Sequence, residues 1–312
     1  MEDTIAAIST ALGVGAISII RVSGPESVNI VNKIFDKDLT IAKSHTIHYG
    51  HIIDQNKIID EVLISIMLAP KTFTKEDIIE INCHGGISTT NKVLELLLTN
   101  GARLAEPGEF TKRAFLNGRI DLTEAEGVMN LIEAKSDISR QLSINQLTGS
   151  VSNLIEDLRS DLVSIISNIE VNIDYPEYDD IEVLTNEKIT PSIKKLLSKI
   201  TNILNKSTDG KIIKDGINIG IIGRPNVGKS SLLNALLEEQ KAIVTDIEGT
   251  TRDIVEGRFI LNGIVCNIID TAGIRKTDNL VEQIGVAKSY EIIDSSDLVI
   301  YLLNNNEPLT KE

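Results

Sequence analysis

The sequence predicts a multidomain protein that combines α/β and α+β segments, and three observations lead to that fold class. Its 312 residues are 42% hydrophobic and 24% charged, which is enough apolar material for two or three packed cores. Both ends of the chain alternate short β-rich apolar runs with amphipathic segments, whereas the middle is helical throughout. We therefore expect an N-terminal α/β domain at residues 1–120, a helical domain at 121–210 and a second α/β domain at 211–312.

The N-terminal segment has the patterns of several strands and two helices. Apolar runs rich in β-branched residues predict strands at 4–8, 16–22, 46–53, 61–68 and 77–83. Ser23 and Pro25 mark the start of a helix that runs to about Phe35, because proline suits the first helical turn. The amphipathic run Ile87–Thr99 predicts the second helix.

The middle of the chain is predicted to be helical from about Thr123 to Ile173. Its apolar residues recur at steps of three and four and form one stripe, made of Val151, Leu154, Ile155, Leu158, Leu162, Ile165, Ile166 and Ile169. A further helix is expected at 185–205, followed by a linker at 207–210. A long helix with one apolar face needs a partner to bury it, so we expect this stripe to be covered.

The C-terminal segment returns to an α/β pattern. Buried strands are predicted at 216–222 and 298–303, and helices at 229–237 and 285–293. The runs 254–261 and 264–269 form a hairpin across Asn262–Gly263, which is a strong turn signal.

Composition and charge exclude several classes of protein. No apolar run approaches the ~20 residues of a membrane span, and the N-terminus lacks the basic residues of a secretory signal. Two distant cysteines suit neither a disulfide framework nor a metal cluster, so we expect a reduced protein of the cytoplasm. The net charge of −14 makes the chain a poor non-specific ligand for nucleic acid. Any RNA contact should be local or depend on a partner.

The clearest motif is Gly223–Ser230, a complete G-x-x-x-x-G-K-S sequence between a predicted strand and a predicted helix. Its glycines let backbone N–H groups surround phosphates, and the helix N-terminus adds a positive dipole end. Lys229 is expected to neutralise the β- and γ-phosphates, and Ser230 to bind Mg²⁺.

Two downstream segments complete this predicted nucleotide site. Asp270–Gly273 follows an apolar strand, where an acid can reach the metal and Gly273 can offer a backbone N–H to the γ-phosphate. Gly249–Asp253 lies in a polar loop suited to a switch, and one of its threonines would complete the Mg²⁺ shell.

Residues 216–303 resemble the GTPase domain of the TRAFAC class, and Pro225–Val227 together with Thr250–Asp253 are similar to its potassium-activated members. The upstream residues resemble the MnmE (TrmE) family specifically. That resemblance lies in Glu76–Glu80, His84–Gly86, Glu106–Thr111, Arg113–Arg119, Asp121–Glu126 and Asp174–Glu177. The resemblance covers essentially the whole chain.

Membership of that family would imply an inserted P-loop GTPase domain and GTP hydrolysis in the modification of the wobble uridine of certain tRNAs. The group added would be of the carboxymethylaminomethyl type, with 5-formyl- or 5,10-methylene-tetrahydrofolate as one-carbon cofactor and Mg²⁺ and K⁺ as ions. The implied partners are a second copy bound through the N-terminal domain, the flavoprotein MnmG (GidA) and tRNA, with no membrane.

The resemblance also implies roles for individual residues. The folate contacts would be Arg21, Glu80 and Arg119; surface salt bridges are the equally weighted alternative. Mg²⁺ would be held by Ser230 and Thr251, and K⁺ by Asn226, Thr245, Ile247 and Thr250. Glu282 would position the attacking water, with Lys229 and Gly273 as further catalytic groups. The nucleotide contacts would be Asn226, Val227, Gly228, Lys229, Ser230, Ser231, Thr245, Asp246, Ile247, Glu248, Gly249, Thr250, Thr251, Asp270, Thr271, Ala272 and Gly273.

Two rival functions share parts of this pattern. A ribosome-assembly GTPase of the Der or Era kind has the same nucleotide-binding core but should carry a basic RNA-binding module, and none is visible here. A dimerisation scaffold without catalysis would need only the N-terminal domain.

The C-terminal α/β segment is short for a GTPase domain, at fewer than the ~150 residues that such a domain usually has. The guanine-selecting N-K-x-D motif would follow the strand at 298–303, and Asn304–Asn306 does not replace it. From this we expect a C-terminally truncated chain that folds its N-terminal domain and binds GTP poorly.

Overall fold

The computed structural model describes residues 3–174, 186–223, 227–239, 255–269 and 292–304. It is a mixture of helices and strands, as the sequence predicts, and divides into two units, residues 1–128 and 129–312. The boundaries expected near residues 120 and 210 stay predictions.

The first unit is built on one six-stranded sheet. Its elements in chain order are β1 (Ile5–Ile8), β2 (Ile17–Ser23), α1 (Ser27–Asn32), β3 (Thr46–Asp54), β4 (Lys57–Met67), β5 (Ile78–His84), α2 (Ile87–Thr99), β6 (Arg103–Leu104) and α3 (Glu109–Leu116). The strand order is β3-β4-β5-β2-β1-β6, antiparallel except for the pairing of β1 with β6. The five predicted strands and both predicted helices are present, whereas β6 and α3 had no clear sequence signal.

Alternation along the strands separates the two faces of this sheet. Residues such as Ile20, Ile64 and Ile81 are fully buried in one core cluster with side chains of α1 and α2. Because successive side chains point to opposite faces, their neighbours Arg21 and Glu80 lie on the other side. We call that side the outer face.

The described part of the chain continues with five helices and a second sheet. These elements are α4 (Leu122–Glu133), α5 (Asp137–Leu147), α6 (Ser150–Asp174), α7 (Asn186–Asp215), β7 (Ile217–Gly223), α8 (Lys229–Glu239), β8 (Val255–Leu261), β9 (Ile264–Ile269) and β10 (Leu298–Leu302). In the order β10-β7-β9-β8, the first three strands are parallel and β8 is antiparallel to β9. The predicted hairpin turn is confirmed, with left-handed φ values at Asn262 and Gly263.

The helical segment predicted from about Thr123 to Ile173 is confirmed. It consists of three helices, because Ser136 caps the start of α5 and Gly149 adopts a left-handed φ of 82° before α6. The linker prediction that follows it is wrong. Residues 207–210 are not a linker but part of α7. Isolated small or polar residues cost a helix only ~1 kcal/mol each, which the flanking apolar positions can offset. Most of the helix predicted at 285–293 lies outside the described residues.

The apolar stripe of α6 is only partly covered by the residues that the structure describes, because four of its members are no more than half-buried, namely Leu154, Leu158, Ile165 and Ile169. Ile155 is 56% exposed and Leu162 is 49% exposed, and α6 has no buried residue. No helix in the described part of the chain combines the length and apolarity needed to cross a membrane.

Candidate functional sites

The Gly223–Ser230 segment lies between a central parallel strand and a helix, as its motif requires. Gly223 ends β7 with a φ of 154°, and a Cβ there would lie 2.6 Å from the carbonyl oxygen of Leu302. Gly228 also has a left-handed φ, of 100°. Only glycine adopts these conformations without strain, so both positions keep the backbone close to whatever binds the loop.

Lys229 begins α8, and its side chain reaches the last residue of β7. Its Nζ donates a hydrogen bond to the carbonyl oxygen of Gly223 at 2.6 Å. Burial lowers the pKa of Lys229, because the charged form loses hydration. Ser230 and Ser231 follow in the first turn of α8, and both are exposed. This arrangement places a cation and a hydroxyl at one helix N-terminus, which suits an anion with a bound metal.

Most of the remaining predicted nucleotide contacts fall outside the described residues. These are Asn226, Thr245, Asp246, Ile247, Glu248, Gly249, Thr250, Thr251, Asp270, Thr271, Ala272 and Gly273, and the predicted water-positioning residue Glu282 also lies outside the described residues. The parallel strands β7 and β9 do end at the same edge of their sheet, since Gly220 pairs with Ile269. That edge is where ligands of open parallel sheets bind.

The three predicted folate contacts, in contrast, form one cluster on the first unit. Arg21 of β2 and Glu80 of β5 are direct cross-strand partners. Both Nε and one terminal nitrogen of Arg21 donate to Oε1 of Glu80, at 2.9 and 2.7 Å. The guanidinium carbon of Arg119 lies 4.9 Å from the ring centroid of Phe73, and that of Arg21 lies 5.8 Å from the same ring.

The charges of this cluster are incompletely paired. Glu80 uses Oε1 for Arg21, and no described residue donates a hydrogen bond to its Oε2. Arg119 is exposed and forms no ion pair with a described carboxylate. A carboxylate oxygen and a guanidinium are therefore both available to a ligand that has donors and acceptors on one edge.

Two phenylalanines complete the cluster, and the sequence analysis missed both. Phe110 lies 5.5 Å from the Arg21 guanidinium, so this cation contacts the rings of Phe73 and Phe110. The sequence feature that could have pointed to these two residues is the rarity of large aromatic side chains, because the chain has no tryptophan and only five phenylalanines. Two of the five meet here, 37 positions apart in the chain.

A buried charge network holds these aromatic segments in place. Arg113 of α3 is fully buried, and its guanidinium contacts Glu76 at 3.2 Å, Glu109 at 3.1 Å and Asp3 at 2.8 Å. Burial acts to lower the pKa of Arg113, but the surrounding carboxylates outweigh it and raise the pKa. Hydrogen bonds led by that from Arg103 lower the pKa of Glu109 to about 2.

The network joins the two segments that carry the rings. Glu76 follows Phe73 by three residues and also accepts a hydrogen bond from Ser23 of β2 at 2.8 Å. Phe110 precedes Arg113 by three residues on α3. Arg113 therefore connects the loop of Phe73, the helix of Phe110 and the strand that bears Arg21.

Comparison with known proteins shows which family models and which relatives the chain is similar to. Residues 4–119 match the family model described as GTP-binding protein TrmE N-terminus, and residues 122–306 match the MnmE helical domain. The chain is 58% identical over 313 residues to the tRNA modification GTPase MnmE of Bacillus cytotoxicus and to that of Bacillus anthracis. It is 55% identical over 311 residues to that of Streptococcus thermophilus. Each alignment covers 99% of this chain and 68% of the relative.

Proposed function

The chain belongs to the MnmE family of tRNA modification GTPases, and on that premise we propose that it hydrolyses GTP in the modification of the wobble uridine of certain tRNAs. The observation that carries the proposal is the contact of Lys229, at the start of α8, with Gly223, at the end of a central parallel strand, in the Gly223–Ser230 motif. The group added would be of the carboxymethylaminomethyl type. Both family models that match the chain, over residues 4–119 and 122–306, are models of TrmE or MnmE domains. This disfavours the alternative of a Der- or Era-like ribosome-assembly GTPase.

Phosphoryl transfer needs positioning and charge stabilisation more than covalent chemistry. Backbone N–H groups of the loop bind the phosphates, and Lys229 stabilises the charge that develops on the transferred group. Ser230, exposed in the first turn of α8, suits an Mg²⁺ ligand, and Mg²⁺ when bound neutralises phosphate charge. Thr251 is proposed as the second protein ligand, and Glu282 as the residue that positions water.

Potassium is proposed as the second ion, held by Asn226 and by the segment that contains Thr245, Ile247 and Thr250. A cation beside the phosphates can do the work of an arginine finger. We expect GTP turnover by the full chain to be at least ~10-fold faster in KCl than in NaCl of equal ionic strength, measured at millimolar GTP with Mg²⁺ present. Asn226→Ala should bring the ratio close to one, and equal rates for the unchanged chain would contradict the K⁺ assignment.

A reduced folate of the 5-formyl- or 5,10-methylene-tetrahydrofolate class is proposed as the one-carbon cofactor of the first unit. Its pterin ring carries adjacent N–H donors and a carbonyl acceptor on one edge. Oε2 of Glu80 can accept from those donors, and the unpaired guanidinium of Arg119 can donate to the carbonyl. Phe73 and Phe110 supply apolar surface for the ring system.

Glu80→Gln is expected to weaken tetrahydrofolate binding about 10- to 100-fold, because it removes the charged acceptor but keeps the shape of the side chain. Titration calorimetry of the full chain measures this. Glu95→Gln is the matched control, since Glu95 is an exposed residue of α2 whose ion pair with Lys92 spans 3.4 Å. Unchanged affinity in the Glu80 variant would refute this folate site.

The proposed partners are a second copy of the chain, the flavoprotein MnmG (GidA) and tRNA, in the cytoplasm. The outer face of the first unit supports the homodimer. It exposes Ile47 (67%), Tyr49 (51%) and Leu63 (47%), and Tyr49 and Leu63 are direct cross-strand partners. The net charge of −14 makes tRNA binding depend on local contacts or on the partner protein.

A further inference from the structure

One helix of the second unit differs in charge from the rest of this acidic chain. Residues 188–208, which lie within α7, contain five lysines and no acidic residue. The whole chain, in contrast, has 45 acidic residues among 312 and a net charge of −14. A local run of positive charge is what an acidic protein needs in order to bind a polyanion, because its overall field is repulsive.

The polar residues of this run share one side of α7. Steps of three, four and seven residues return to nearly the same direction on an α-helix. Residues at these steps form a continuous strip, which we call the lysine face: Ser192, Lys195, Lys199, Asn202 and Lys206. Lys199 is half-buried, and the other four residues are exposed. With a rise of 1.5 Å per residue, Lys195 and Lys206 are about 16 Å apart along the helix axis.

The charges of the lysine face are only weakly engaged within the chain. Nζ of Lys199 lies 3.0 Å from Oδ2 of Asp161 on α6, and the two side chains are 40% and 53% exposed. An ion pair with this exposure contributes about 1 kcal/mol or less. Neither Lys195 nor Lys206 forms an ion pair with a carboxylate of the described residues. Two ammonium groups are therefore available to a ligand, and the third can exchange its carboxylate for another anion.

The exposed apolar residues of α7 lie away from the lysine face. Ile193, Leu197 and Leu204 are 49%, 62% and 61% exposed. Helical periodicity places these three on the opposite side of the helix from Lys195 and Lys206. Any part of a protein that covers the apolar side consequently leaves the lysine face in contact with solvent.

The composition of the lysine face suits phosphate groups better than a protein partner. It contains no apolar or aromatic residue, and lysine and serine are both depleted at protein–protein interfaces. Lysine, serine and asparagine side chains are among the usual contacts to nucleic-acid phosphates and sugars. A row of cations about 16 Å long spans several charges of a polyanion rather than one small anion.

We propose that the lysine face of α7 is a contact surface for the phosphate backbone of the tRNA. This inference rests on the tRNA part of the proposed function. Lys195, Lys199 and Lys206 each bind a phosphate and release its counterions, so that affinity falls as the salt concentration rises. Because phosphates carry no base identity, this surface adds affinity and orientation without selecting a sequence.

The test measures the binding of an unmodified tRNA transcript to the full chain by fluorescence anisotropy, between roughly 50 and 200 mM KCl. Replacing Lys195 and Lys206 together by glutamine should weaken binding at least ~5-fold at the lower salt concentration. It should also reduce the slope of log affinity against log salt by about 1.5 to 2. The fold and the GTP turnover should not change, because glutamine and lysine have similar helix propensities.

The matched control is the joint replacement of Lys194 and Lys211 by glutamine. These lysines are exposed residues of the same helix, and their loss changes the net charge by the same amount, but they lie off the lysine face. The control should change tRNA affinity less than about twofold. Equal weakening by the two double variants would overturn the proposal, because the effect would then be one of net charge.

The remaining outcomes separate the lysine face from the proposed function. If the unchanged chain binds tRNA and the lysine-face variant binds it as tightly, the tRNA part of the function stands and the lysine face is wrong. If the unchanged chain binds no tRNA at the lowest salt concentration, the tRNA part fails for this chain and the lysine face fails with it, whereas GTP turnover in KCl tests the GTPase part separately. A lysine-face variant that kept its tRNA affinity but bound the flavoprotein more weakly would assign the face to that protein instead.

Discussion

Replacing Lys229 by methionine is expected to lower GTP turnover about 10²- to 10³-fold without destabilising the protein. The ammonium group is the positive charge that the described loop residues place at the phosphate site, where it donates to the carbonyl oxygen of Gly223. Burial lowers the pKa of Lys229, so folding disfavours its charged form. Methionine keeps the length of the side chain and removes that unfavourable charge. The thermal unfolding midpoint should therefore stay the same or rise.

Phosphate release at millimolar GTP, with Mg²⁺ and K⁺ present, measures the turnover, and differential scanning calorimetry measures the midpoint. Lys211→Met is the control, because Lys211 is an exposed residue of α7 that precedes the phosphate loop by 12 positions. A Lys229 variant that retained more than about half of the turnover would show that this loop is not the hydrolytic site. A large fall in the midpoint would instead indicate a structural role for the ammonium group.

The strand and helix that flank the proposed nucleotide loop could be predicted from sequence because their determinants are local. Gly223–Ser230 lies within eight consecutive positions, and the flanking strand and helix have clear apolar periodicity. In the described residues, β7 ends at Gly223 and α8 begins at Lys229, with left-handed φ values at Gly223 and Gly228. Motif, strand and helix therefore agree, and local propensity is enough to position them.

The folate cluster depends on long-range pairing, which residue patterns alone could not supply. Arg21 and Glu80 are 59 positions apart, and only the antiparallel register of β2 and β5 makes them partners. The resemblance to the MnmE family named these two residues together with Arg119. It included Phe110 in the segment Glu106–Thr111 without giving it a role, and it did not include Phe73. Isolated phenylalanines are typical of ordinary core packing, so neither ring indicated a site.

The helical segment shows a different limit of sequence reasoning. Apolar periodicity predicted helical structure from about Thr123 to Ile173, and the apolar stripe lies wholly within α6. It did not predict the helix ends, which Ser136 and Gly149 set through a side-chain cap and a left-handed φ. Conversely, Ser207–Gly210 has the composition of a linker, but the helix continues through it. Composition predicts such breaks poorly because one or two residues decide them.

Replacing Arg113 by methionine is expected to destabilise the first unit by about 3–5 kcal/mol. Methionine fills similar space, but it leaves Glu76 without its buried cation, and Glu109 and Asp3 keep only Arg103. Uncompensated carboxylates in a buried network cost far more than a lost surface ion pair. Hydrogen–deuterium exchange of the full chain, followed in peptides from β2 and β5, should show protection lowered by about 10²- to 10⁴-fold.

Arg140→Met is the matched control, because Arg140 and Asp137 form an exposed pair at 3.2 Å whose loss should cost less than about 0.5 kcal/mol. The loss of stability in Arg113→Lys should lie between those of Arg113→Met and Arg140→Met. A lysine keeps the charge but cannot contact Asp3, Glu76 and Glu109 in the same planar arrangement. Native-like protection in Arg113→Met would mean that the network does not anchor the unit. The aromatic segments around Arg21 would then owe their positions to apolar packing, and tetrahydrofolate affinity in that variant should equal that of the unchanged chain.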